Sequence, residues 1–136
     1  MPSPDPAAAI KDAVAGHWST VHPTWTATLH VDDDYRPTAG NPVLLVADDG
    51  GPRILGGAWL LRKVPRRPLI RFTSFAVGRG EALGCVDDAV DYILANRPAG
   101  ITRIEDVSDP LLTRDRATGA FLASITMPVI VRPIAT

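Results

Sequence analysis

"RFTSFAVGRGEALGCVDDAVDYIL", residues 71–94, changes its period part-way along. Up to Ala76 the run is rich in aromatic and β-branched residues and reads as the end of a strand, "LIRFTSFAV". From Glu81 onward, Ala82, Leu83, Cys85, Val86, Ala89, Val90, Ile93 and Leu94 recur at helical spacing, with Asp87, Asp88 and Asp91 away from that stripe. The spacing predicts an amphipathic helix over 81–96, stopped by Asn96, Pro98 and Gly100.

Gly78, Gly80 and Gly84 stand at the change of period, and two readings compete for them. A glycine run between strand and helix, with Glu105 or Asp106 some twenty-odd residues on, resembles a dinucleotide-binding loop. Against this, the strand carries Arg71, Thr73 and Ser74, where a central parallel strand should be almost wholly apolar. The spacing is G-x-G-x-x-x-G, and the chain that remains is too short for the second half of a doubly wound sheet. The favoured reading is a strand-to-helix turn that seats the helix, with Gly84 allowing close approach to the sheet. No cofactor is expected, and a nucleotide-binding enzyme using Gly78–Gly84 is the lesser alternative.

Working outward, residues 1–6 have proline at every second position and read as a flexible lead-in to a single domain over 7–136. Asp5 is placed as a helix N-cap with Pro6 at the first helical position. Ile10, Ala13, Val14 and Trp18 share one face of the helix that follows, which must end before Pro23. Trp25, Ala27, Leu29 and Val31 alternate with polar residues and predict a strand with one buried face. "PVLLVADDGGPRILGGAWLLRKV" reads as strand, turn and strand, and Ile54–Leu61 is apolar or glycine at both parities. Beyond the central helix, "ITRIEDV" predicts a short strand, "SDPLLTRDRATG" a long charged loop, and "AFLASITMPVIV" a closing strand. Pro128 cannot donate to a ladder, so an edge position or a bulge is expected for that half. The order predicts an α+β fold: a mixed, mostly antiparallel sheet with the N-terminal helix and one central amphipathic helix on one face.

Composition narrows the function. With 14 basic and 15 acidic residues among 136 the net charge is −1, which argues against a DNA-binding regulator and against a charge-driven membrane partner. No apolar run approaches the ~18 residues of a membrane span, and the first residues lack a signal-peptide pattern, so a soluble cytosolic product is expected. One cysteine, Cys85, excludes an internal disulfide; on the apolar stripe it reads as a small buried hydrophobe. Asp32, Asp33 and Asp34 lack the glycine and the glutamate of a calcium loop, His17, His22 and His30 have no metal-ligand spacing, and no serine lies in G-x-S-x-G. No catalytic constellation and no metal site are expected.

What remains are two charged segments suited to protein contacts. Arg62, Lys63, Arg66 and Arg67, followed by Arg71, form the densest basic cluster. The loop with Glu105, Asp106, Asp109, Arg114, Asp115 and Arg116 alternates in sign, as a repeated subunit interface does. Arg62, Lys63, Arg66, Arg67, Asp109, Arg114, Asp115 and Arg116 are the candidate interface residues.

From Asn41 on, "NPVLLVADDGG", "RPLIRFTSFAVGRGEALGCVDDAVDYIL" and "ITRIEDVSDPLLTRDRATGAFLASITMPVIVRP" together resemble the tail terminator, or tail-completion, proteins of long-tailed bacteriophages. The resemblance covers about two-thirds of the chain. In that family a strand runs into a short loop with an arginine and a Glu-Ala pair opening an amphipathic helix. A charged loop with an Asp-Pro step and a closing strand follow. It implies a structural virion protein of the tail or neck, assembled in the host cytoplasm as a homo-oligomer, a hexameric ring. Its implied partners are the tail tube protein and the head-completion or connector protein, with the genome passing through the ring and no specific nucleic-acid recognition. Another head–tail connector or minor tail protein is the alternative within the same class.

Overall fold

In this computed structural model, residues 5–32, 35–49, 67–116 and 119–131 are described. The fold is α+β, two helices against a mixed sheet. Helix α1 spans Pro6–Val21, strand β1 Thr26–Thr28, β2 Val43–Asp48 and β3 Leu69–Ala76. Helix α2 spans Arg79–Ala95, followed by β4 Ile101–Ile104, β5 Leu111–Arg114 and β6 Phe121–Val131. The sheet order is β1-β2-β3-β6-β4, with β5 also paired to β6. Among the described strand pairs only β1–β2 is parallel.

The centre is the β3–β6 ladder, which runs from Leu69 opposite Pro128 to Ala76 opposite Phe121. Strand β6 alternates as its sequence does: Ala123, Ile125, Met127, Val129 and Val131 are buried towards the helices, and the residues between them are half-buried. Ile70, Phe72 and Ala76 of β3 and Leu44 and Val46 of β2 extend the same apolar floor. The two buried polar residues of β3 are satisfied: Ser74 Oγ donates to the Ala82 carbonyl oxygen at 2.5 Å, and the Thr73 and Ser124 hydroxyls lie 3.2 Å apart. A polar pair in a central strand is thus absorbed by one cross-strand contact and one contact to α2.

Helix α1 starts where its cap chemistry dictates, with Asp5 Oδ1 accepting from the Ala8 N–H at 3.1 Å and Pro6 in the first turn. Pro6 is itself buried, so packing begins there. The helix stops at His22, whose N–H donates to the Trp18 carbonyl, and Pro23 cannot continue it. Ile10, Val14 and Trp18 are its buried stripe. Helix α2 buries Ala82, Cys85, Val86, Ala89, Val90 and Ile93.

Several expectations need correction. The strand predicted across Trp25–Val31 is only three residues long and leaves Leu29 43% exposed. The Thr28 hydroxyl donates to the His30 carbonyl at 2.9 Å and accepts from the His30 N–H, a local turn that diverts the backbone from the ladder. The long charged loop contains β5, paired to β6 from Leu111 opposite Ser124 to Arg114 opposite Phe121, and Gly119 closes the hairpin at φ +75°. Pro128 lies in an interior strand. Its carbonyl accepts from the Glu105 N–H, and nearby Ser108 serves Thr126 through its N–H and hydroxyl, each at 2.9 Å. The proline therefore falls in the gap between β4 and β5, where the regular ladder is interrupted and a donor is dispensable. Leu94 is 49% exposed rather than on the buried stripe. Gly84 is exposed on α2, and a Cβ there would meet nothing within 4 Å, so it does not serve close packing on the sheet. The strand expected at 54–61 lies outside the described residues.

An exposed glycine inside a helix costs about 1 kcal/mol relative to alanine. Gly84→Ala should therefore stabilise the protein by about that amount, raising the thermal midpoint by roughly 3–5 °C in calorimetry. An unchanged or lower midpoint would show that the glycine has a role at this surface.

Candidate interaction surfaces

The candidate interface residues that are described do not form one patch. Arg62, Lys63 and Arg66 lie outside the described residues. Arg67 Nε is 3.0 Å from Glu105 Oε1, so this guanidinium is already engaged within the chain. Arg71 is likewise engaged, 2.7 Å from Asp49. Asp109 is exposed on the segment between β4 and β5. Arg114, Asp115 and Arg116 do come together, at the tip of the β5–β6 hairpin. There the Arg114 guanidinium sits 5.0 Å from the centre of the Phe121 ring, and the Asp115 backbone exchanges hydrogen bonds with Ala120 and Gly119. Arg116 is exposed. Since Pro68 bonds to Val129 while Arg114 pairs with Phe121, Arg67 and the tip stand at opposite ends of β6, about 26 Å apart at the rise of a strand. They are two surfaces.

The glycine loop has no dinucleotide frame around it. Both neighbours of β3 are antiparallel to it, whereas a pyrophosphate loop of that type sits in a parallel βαβ unit. Gly78 caps α2 with extended backbone, φ −122°, and contributes no side chain. The first turn of α2 already carries an anion: Glu81, whose Oε2 accepts from the Gly40 N–H at 3.2 Å. Its Oε1 and the Tyr35 hydroxyl are buried without hydrogen-bond partners. Tyr35, edge-on to Phe75, is pushed up in pKa by burial and then by the nearby Glu81 and Cys85. Burial pushes the Cys85 thiol well above its ordinary range, with Asp88 and Glu81 adding to the effect. Such a thiol holds its proton and is a packing group.

Among the described residues, a well-connected polar residue is one that the sequence pattern set aside. Asp88 Oδ2 accepts from Trp18 Nε1 at 2.6 Å, joining α2 to α1. His17 and His22 approach its two oxygens, each with Nε2 at 3.8 Å. His17 stacks on Tyr92 with centroids 4.1 Å apart, His22 stacks on Trp25 at 3.7 Å, and Trp25 meets Trp18 edge-on at 5.3 Å. One carboxylate and five rings therefore pin α1, α2 and the start of β1 together. Among the described residues no three histidine, cysteine or acidic side chains are grouped to hold a metal. Nothing in the local sequence marks Asp88, because its partner lies 70 residues away.

No protein-family model and no curated protein matches the chain. None of the helices described is long and apolar enough to cross a membrane.

Asp88→Ala removes the acceptor of a charge-assisted bond and leaves the buried Trp18 N–H unpaired. It should destabilise the protein by about 1.5–3 kcal/mol in urea unfolding. Cys85 should not react with a thiol reagent in the native protein and should react fully after denaturation; native-state labelling would overturn the packing role.

Proposed function

We propose that the chain is a structural subunit of a bacteriophage tail, a terminator that closes the completed tail tube as a ring and forms the joint to the head. The reading rests on the family resemblance and on one feature of the fold. The helices share one face of the sheet, and among the described strands the two ends of the order are unlike: β1 on one side, β4 and β5 on the other. A ring needs two different complementary surfaces on each subunit, and unlike edges supply them. Strand β5 presents Leu111 at 66% exposure beside the Arg114–Arg116 tip, an apolar anchor with a charged rim.

Light scattering after size exclusion, with negative-stain imaging, is expected to give a six-fold ring. Added to polymerising tail tube protein, the ring should cap tubes and stop their growth. Leu111→Asp, at an exposed site, should weaken ring closure at least tenfold while leaving the thermal midpoint within about 2 °C, in keeping with the small cost of surface changes. Protein that stays monomeric and leaves tube growth unaltered would overturn the reading.

A further inference from the structure

The chain reverses just past α2. The Ile101 N–H donates to the Pro98 carbonyl at 3.2 Å, and Gly100 takes φ +93°, a left-handed value that favours glycine. Strand β4 then joins β6 through a bulge: Ile101 stands opposite Val131 and Arg103 opposite Ile130, which leaves Thr102 over, its hydroxyl donating to the Ile130 carbonyl at 3.2 Å. Strict alternation would put Arg103 on the buried face with Ile101. The bulge turns it outward, and Arg103 is exposed. Arg97, before the reversal, and Arg103, after it, thereby line one open cleft of about 670 Å³ with Leu94, Ala95, Asn96 and Ile104. Among the described residues neither guanidinium has a hydrogen-bond or ion-pair partner, whereas Arg67 and Arg71 are held by Glu105 and Asp49, and Arg114 lies over Phe121. None of the described acidic side chains lines the cleft. The C-terminal end of α2 opposes the two arginines with only about half a unit of negative charge, so the cleft stays positive.

We propose that this cleft binds the phosphate group of a small aliphatic ester. A guanidinium offers a planar fork of donors that matches phosphate oxygens two at a time, and two such forks carry the charge of one phosphate monoester, about two units at neutral pH. A single carboxylate would leave one arginine unmatched. The volume falls within the range of small-molecule sites and exceeds what a lone phosphate fills, so the ligand has a body beyond its anionic head. The walls available to that body are the side chains of Leu94, Ala95 and Ile104. No aromatic ring lines the cleft to stack a base, so an aliphatic or sugar-like body fits and a nucleobase gains little. The Asn96 amide is used within the chain, its Nδ2 donating to the Tyr92 carbonyl at 3.1 Å, which leaves recognition of the anion to the two arginines.

The test is isothermal titration of the full chain with glycerol phosphate, beside inorganic phosphate, succinate and a short oligonucleotide. The ester should bind with Kd below about 1 mM and more tightly than the other three. Arg97→Ala and Arg103→Ala should each weaken it about tenfold or more, the loss of a hydrogen bond to a charged group. Arg97→Lys, which keeps the charge and loses the fork, should weaken it as well. Arg79→Ala, exposed at the other end of α2, should leave it unchanged. Arg97 and Arg103 are exposed, and circular dichroism with thermal midpoints confirms that each variant is folded. No binding at millimolar ester, or an equal loss in Arg79→Ala, overturns the proposal. Succinate bound as tightly overturns the choice of phosphate, and inorganic phosphate bound as tightly overturns the ester body. An oligonucleotide bound more tightly through the same arginines overturns the small ligand in favour of nucleic acid. The site stands apart from the ring reading: rings that bind no ester overturn this proposal alone, and a monomer that binds the ester overturns the ring alone.

Discussion

The register between β3 and β6 is the constraint on which the rest of the structure depends. Leu69 opposite Pro128 and Ala76 opposite Phe121 set the alternation of both strands, and with it the face on which Phe72, Ile125, Met127 and Val129 meet the helices. A slip of one residue would turn that apolar set to the other face and expose the floor on which α1 and α2 lie. Strand β2 takes its place from the same register, since Val46 pairs with Phe72 and Leu44 with Ser74. On its other side β6 is long enough to carry β5 and β4 in succession, with Pro128 where the two meet.

The helices are secured in a different way. Burial of Ile10, Val14 and Trp18 supplies the non-directional attraction of α1 for the sheet. The bond from Trp18 to Asp88 then selects one docking angle, because indole and carboxylate meet only in a narrow geometry. His17 and His22, stacked on Tyr92 and Trp25, flank that bond. Glu81 plays a smaller part at the other end of α2, holding the Gly40 backbone. In both places a carboxylate of α2 reaches a segment remote in sequence, so the helix acts as the fastening between the N-terminal forty residues and the sheet.

This construction bears on function through what it leaves uncovered. The helices occupy one face of the sheet, and among the described residues exposed charges include Arg114 and Arg116 at the β5–β6 tip and Asp91 and Arg97 about the end of α2. Arg67 and Arg71, though exposed, are each held by a carboxylate of the same chain, Glu105 and Asp49. Surfaces of mixed sign with an isolated exposed leucine, Leu111 in one case and Leu94 in the other, suit contacts between proteins.

The two helices, the strand pattern of β6 and the α+β class were legible in residue order because each depends on near neighbours. Asp5 reaches only to Ala8, helical stripes recur every three or four residues, and a half-buried strand alternates. Strand β5 was hidden in a charged segment, since its pairing comes from β6 and not from its own composition. Leu94 and Gly84 were misplaced because helical period gives a stripe without saying how wide the covering surface is, and both fall on the exposed side of α2 with Asp87 and Asp91. Of the candidate interface residues that are described, Arg114–Arg116 stand together at the hairpin tip, while Arg67 pairs with Glu105. The sequence alone therefore determined the local elements and the need to bury them. Tertiary structure decided which charges remain free, which proline an inner strand tolerates and which carboxylate locks the helices, because each depends on distances between residues that only the completed sheet brings into contact.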